Sequence, residues 1–174
     1  MYSVNDTVLY AADGVCTIAA IVEKNMLGAK KLFYELHPVF RRDAVLFLPT
    51  DNEKTMTKLR RVLTRDEIIS AIHGMTEEET IWIEKESTRK EEYARIIKSG
   101  DHKKVIRLIK TLYEHRESLV DSGRKMHAAD ENFLKDAESV LYEEFAYVLK
   151  IHRDEVLPFI QSEIENHAAQ VQAV

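Results

Sequence analysis

The period of the hydrophobic pattern changes once along the chain, near Leu63, and that change forbids a single uniform layer of structure. Before it, short β-prone runs at residues 7–10, 15–22, 31–36 and 45–48 alternate with turn residues. Asp13-Gly14 and Leu27-Gly28 supply positions that tolerate positive φ between these runs. Pro38 and Pro49 stand at the margins of runs, where a missing N–H does little harm. Four or five strands within about 60 residues predict a small, strongly bent sheet or barrel.

After Leu63 the apolar residues fall at helical spacing between start and stop signals. Thr64 with Glu67 forms a capping-box pair, and Gly74 closes that short helix. Thr76 with Glu79 repeats the box and predicts a longer helix ending at Ser99-Gly100. Asp101 caps a third helix whose Val105, Leu108, Ile109, Leu112 and Leu119 share a face, and Asp121-Ser122-Gly123 ends it. A fourth is predicted over 129–151 on Phe133, Ala137, Val140, Leu141, Phe145 and Val148. A fifth begins near Asp154 with Val156, Leu157, Ile160 and Ile164, carries Pro158 in its first turns, and leads to a polar tail after His167. The expected fold class is therefore α+β: a β-barrel over residues 1–63, then an all-α unit of about five helices over 64–174.

Charge and chemistry narrow the function. The net charge of −5 argues against a chain that coats nucleic acid by bulk electrostatics. Residues 1–64 carry nine Lys/Arg against seven Asp/Glu, and the remainder 16 against 23, so any DNA contact by the second half must use a local basic face. The single Cys16 cannot form an internal disulfide. No run approaches the roughly 18 apolar residues of a membrane span, and the N-terminus lacks a signal-peptide pattern, so a cytoplasmic location is expected. His102, His115, His127 and His152 lack metal-ligand spacing and are expected as scattered surface residues. Glu77, Glu78 and Glu79 are expected at a helix start, and Glu143 and Glu144 on a helix face, as solvated or capping carboxylates. No phosphate-binding glycine loop is present and Cys16 has no obvious activating histidine. These patterns predict no enzyme, no cofactor, no metal and no small-molecule substrate.

Val4-Asn5-Asp6-Thr7-Val8-Leu9-Tyr10 followed by Asp13-Gly14-Val15 resembles the opening "VGDxVVYPxHGV" of the CarD/CdnL family, a module shared with transcription-repair coupling factors. The resemblance continues through Ile21, Gly28, Tyr34-Glu35-Leu36, Leu48-Pro49, Asn52 and Leu59-Arg60. Lys98-Ser99-Gly100-Asp101 with Val105, Ile109 and Leu112 resembles the family's "SGDxxxVAxxVRDL" segment, and Leu141, Glu144 and Ala146 its "ILxxELA" helix. About residues 4–150 are covered. The combination points to the family itself rather than to a coupling factor, whose helicase motor is absent here.

The resemblance implies a Tudor-like barrel that docks on the RNA polymerase β subunit, and a helical domain touching promoter DNA with little sequence specificity. It implies a non-catalytic bacterial regulator that stabilises the open complex. The docking strand is expected at 43–48, with Asp43, Val45 and the apolar anchor Phe47, which stands where some members have arginine. Lys24 and Met26, in a loop before Gly28, form the second contact. The alternative is that Val45 and Phe47 alternate into the barrel core. Ungapped counting from Ser99-Gly100-Asp101 puts the family's DNA-wedging tryptophan at Glu86; the only tryptophan, Trp82, lies four residues earlier, one turn up the same helical face. Trp82 is thus either the wedge or a core residue between Ile81 and Ile83. Arg89, Lys90, Arg124 and Lys125 are candidate phosphate contacts or a solvated surface. Asn5 replaces a family glycine and Ala11-Ala12 its Pro-His, changes that a type I turn accepts. A second function class stays open, a polymerase-bound adaptor whose acidic helices bind a protein partner. The segment after Ile151 matches nothing in the family pattern, and its Leu157, Ile160 and Ile164 pack either within the chain or across a dimer.

Overall fold

The computed structural model describes residues 1–10, 13–26, 28–41, 43–75, 77 and 79–172, and divides into two compact units, Met1–Val62 and Leu63–Val174. Ala11, Ala12, Leu27, Thr76 and Glu78, on which some turn, capping and carboxylate expectations rest, lie outside the described residues.

The first unit is an antiparallel five-stranded sheet of order β4-β3-β2-β1-β5. Its strands are β1 (Thr7–Tyr10), β2 (Gly14–Met26), β3 (Ala29–Pro38), β4 (Leu46–Pro49) and β5 (Leu59–Arg61), with one short helical turn, α1 (Glu53–Met56), before β5. Val8, Cys16, Ile18, Tyr34, Leu36, Leu48 and Leu59 form its core. Such a bent sheet fits the Tudor-like β domain expected from the sequence.

Two backbone irregularities set its register. Asn5 donates its N–H to the Ile18 carbonyl at 2.8 Å, while Ile18 N–H donates to the Asp6 carbonyl at 2.9 Å. Two residues thus oppose one, and Asn5 has φ +75°, a left-handed conformation that asparagine tolerates better than other side chains. Asp6 N–H donates to the Ser3 carbonyl at 3.1 Å, so the turn has positive φ at its third residue. That is the type II signature, and it replaces the type I turn expected here. The second irregularity lies in β2, where the register with β3 shifts between Ile18 and Ala20. The extra residue, Ala19, keeps Ile18 and Ile21 on the side of Leu36 and Tyr34. It turns Ala20, Val22 and Lys24 to the other face, with Phe33, Glu35 and Phe47.

The second unit is all-α: α2 (Arg65–Gly74), α3 (Glu86–Ser99), α4 (His102–Asp121), α5 (Ala128–Leu149) and α6 (Arg153–Gln172). The capping chemistry explains most boundaries. Thr64 and Glu67 close a reciprocal capping box on α2. Gly100, at φ +66°, ends α3, and the Asp101 carboxylate accepts from Lys103 N–H and Lys104 N–H to start α4. Burial pushes the Asp101 carboxyl up, but its bonds to Lys104 outweigh that and hold it below the usual range. Tyr93, Leu108, Leu112, Ala137, Leu141, Phe145 and Val156 anchor one continuous core. α6 passes straight through the region after His167 that composition marks as a tail, and Pro158 sits in its second turn. No helix among the described residues is long and apolar enough to cross a membrane.

The position of Asn5 makes a simple prediction. Asn5→Gly is expected to hold or raise stability, whereas Asn5→Val, forced into the left-handed region, is expected to lose about 1–2 kcal/mol in urea unfolding.

Candidate functional site

Two sets of side chains carry functional expectations, one in each unit. In the sheet, β4 is an edge strand, with β3 alone beside it among the described residues. Leu46 and Leu48 face the core side, and the intervening Phe47 pairs with Glu35 on the outer face. Phe47 is 41% exposed and Val45 47%, so neither alternates into the core. Lys24 places its ammonium 2.9 Å from the Phe47 ring centroid, a cation–π contact. Two details differ from the sequence expectation. Asp43 and Val45 precede the strand, Asp43 in an exposed turn, so the strand spans Leu46–Pro49 and not 43–48. Lys24 and Met26 belong to β2 itself rather than to a loop, and Met26 is exposed at its end.

The helical unit holds Trp82 differently from expectation. No helix opens after Thr76-Glu79; residues 79–83 carry no regular structure, and α3 begins at Glu86. Thr80, Ile81 and Ile83 are β-branched and poorly suited to a helix. Their backbone groups find side-chain partners instead. Ile81 N–H donates to the Thr111 hydroxyl at 2.9 Å, that hydroxyl donates to the Arg107 carbonyl at 2.7 Å, and Tyr93 donates to the Ile81 carbonyl at 3.4 Å. Arg107 donates to the Glu79 carbonyl at 3.1 Å. With these bonds made elsewhere, a helical ladder has no advantage over the irregular path.

Arg89 completes the arrangement. It is 5% exposed and makes a bidentate pair with Asp130 of α5, at 3.0 and 3.1 Å. It also donates to the carbonyls of Ile83 and Glu84, at 2.8 and 3.1 Å. The Asp130 carboxylate, first by hydrogen bonding, holds the Arg89 pKa above its ordinary value. The expected phosphate contact is thus corrected: Arg89 is an interior residue whose donors are engaged within the fold. Its guanidinium carbon lies 4.5 Å from the Trp82 ring centroid. His115 of α4 stacks on the same indole with centroids 3.5 Å apart and planes 20° off parallel. Trp82 is half-buried and packs against the helical core.

His115, expected on the surface, is therefore half-buried. Burial pushes its pKa below the ordinary imidazole value; Arg89 and Arg124 act the same way, against the carboxylates of Asp130 and Glu84. Burial likewise pushes the nearby Tyr93 phenol up to about 12. Lys90 is exposed and paired with Glu86 at 2.6 Å. Hydrogen bonding to Lys90 lowers the Glu86 carboxyl. Arg124 and Lys125 are exposed in the connection between α4 and α5, Arg124 donating to the Ser122 hydroxyl at 3.1 Å. Arg124 thus lies within electrostatic range of the ring that supports Trp82.

Sequence reasoning missed Asp130, which looks like an ordinary first-turn acid, and His115, which carries no motif. It also misplaced Glu144: this carboxylate is buried and accepts the Leu63 backbone N–H at 2.8 Å. Among the described residues no group of three or more His, Cys, Asp or Glu converges as a metal site.

The CarD-like/TRCF RID domain profile matches residues 2–63, and the profile of the CarD C-terminal domain matches residues 67–161. The second match takes in the first half of α6, beyond the extent of the motif resemblance. Among curated proteins no significant match is found.

Removing one member of a buried ion pair leaves an uncompensated charge. Asp130→Ala is expected to cost about 3–5 kcal/mol in urea unfolding followed by helical circular dichroism. A loss below about 1 kcal/mol would show that the pair is solvated in solution.

Proposed function

We propose how this chain, which belongs to the CarD family of RNA polymerase-interacting transcription regulators, engages its polymerase and DNA. The β unit docks on the polymerase β subunit by strand addition, in which backbone groups of one sheet edge pair with those of another. The observation that carries this reading is the edge strand β4, with Phe47 exposed on its outer face. Sheet edges are ordinarily blunted by charge, proline or a covering element. Here β4 ends in Pro49, while Phe47 on the strand and Val45 just before it stay in solvent, with Lys24 over the Phe47 ring and Met26 at the end of β2. Asp43 borders the contact.

The helical unit meets the upstream fork of the melted promoter and stabilises the open complex. The accessible part of Trp82 acts as an apolar wedge against an unstacked base step, a step whose cost the other contacts offset. Lys90, Arg124 and Lys125 contact phosphates, which position the protein without specifying sequence. Arg89 is not among them; its role is to frame Trp82. The regulator works without catalysis, as its family does, and in the cytoplasm. The excess of acidic residues after position 64 favours one second reading, an adaptor whose helices bind a protein partner.

Phe47→Glu, which removes the apolar anchor without installing the arginine that some members carry there, is expected to weaken binding to the isolated β-subunit lobe about tenfold or more, a loss of about 1.4 kcal/mol. Unchanged affinity would remove β4 as the docking strand. Three phosphate contacts imply a roughly 40-fold fall in affinity for a forked promoter between about 50 and 200 mM salt. Binding to polymerase with no salt-dependent affinity for the fork would instead establish the adaptor reading.

A further inference from the structure

We propose that His115 is a positioning residue: stacked on Trp82, and working with the Asp130-fixed Arg89, it holds the indole in the pose that meets promoter DNA. This inference rests on the wedge reading and deepens it.

Trp82 stands on a segment without regular structure, so its backbone alone does not define where the ring points. Side chains from three helices do. His115 comes from α4, Arg89 from α3, and Asp130, which holds the Arg89 guanidinium by two bonds, from α5. A ring ordered before it meets its target does not lose that freedom on binding, so the contact is stronger than one made by a free side chain. The 3.5 Å spacing and 20° angle between the rings describe a stack that rotation of either one would break.

The stack has an acid-sensitive element. His115 faces Trp82 and Glu84 from the segment before α3, Arg89 from α3, Asp130 from α5 and Arg124 from the α4–α5 connection. Burial is the largest influence and favours the neutral ring. A proton on His115 adds a positive charge beside Arg89 and Arg124, with Asp130 already engaged by Arg89. Because the folded pKa is depressed, the contribution of the neutral stack is present above the unfolded imidazole pKa of about 6.5 and lost as pH falls through the folded value.

The chain has one tryptophan, so its intrinsic emission reports Trp82 alone. In the full chain, that emission is expected to change in one step below about pH 6.5. The step should vanish in His115→Phe, which keeps a flat ring but cannot titrate. With cognate polymerase on a promoter, His115→Ala and Trp82→Ala are each expected to shorten open-complex lifetime roughly tenfold, with helical circular dichroism unchanged. His115→Phe should restore most of it. A native lifetime for His115→Ala beside a deficient Trp82→Ala would overturn the positioning role and leave the wedge standing. A native lifetime for Trp82→Ala would overturn the wedge and the positioning role together. If His115→Phe proves as deficient as His115→Ala, or if the emission step survives in His115→Phe, the ring stack is not the acting element and the proposal falls.

Discussion

The buried pair between Arg89 and Asp130 is the contact on which the organisation of the helical unit turns. Two charges are withdrawn from water there, an arrangement tolerated only when geometry and hydrogen bonding are close to complete. The guanidinium meets the requirement by using its fork on the carboxylate and its remaining reach on the carbonyls of Ile83 and Glu84. Those two carbonyls are what a helix continued upstream of Glu86 would need for its own ladder. One side chain therefore ties α3 to α5, settles where α3 begins, and fixes the course of the segment that carries Trp82.

The same logic of satisfied backbone groups governs the sheet. One extra residue in β2 reverses which side chains face outward for the rest of the strand, because side chains alternate with a period of two. Without that irregularity Val22 and Lys24 would lie on the core side of Tyr34 and Leu36. With it they share the outer face with Phe47, and the cation–π contact becomes possible. The surface proposed for docking is thus a product of register rather than of composition. Asn5 plays the matching part at the start of β1, where a left-handed residue lets two positions oppose Ile18.

Residues that looked equivalent along the chain have separated by role. Arg89 and Lys90 are neighbours, yet one is enclosed and the other lies in solvent beside Glu86. Glu143 and Glu144 are neighbours too, and only Glu144 reaches inward to receive the Leu63 N–H. In each case the helical rotation between adjacent positions decides which residue meets the interior. The sign of a charge says nothing about that choice.

What was legible in the sequence is what local chemistry controls. The shift of hydrophobic period near Leu63, the Thr64–Glu67 box, the left-handed Gly100 and the Asp101 cap each depend on a few consecutive residues, and the structure forms them where the pattern put them. The family motifs were legible for the same reason. The Thr76–Glu79 spacing had the form of another box, but residues 79–83 carry no regular structure. Thr111, Tyr93, Arg107 and Arg89 claim backbone groups of 79–84, and most of these partners are far away in sequence. The burial of Arg89 and Glu144, the stacking of His115 on Trp82 and the outward turn of Phe47 belong to the same class. Each is set by partners that only the tertiary fold brings within hydrogen-bonding or van der Waals distance, and a linear pattern carries no record of them.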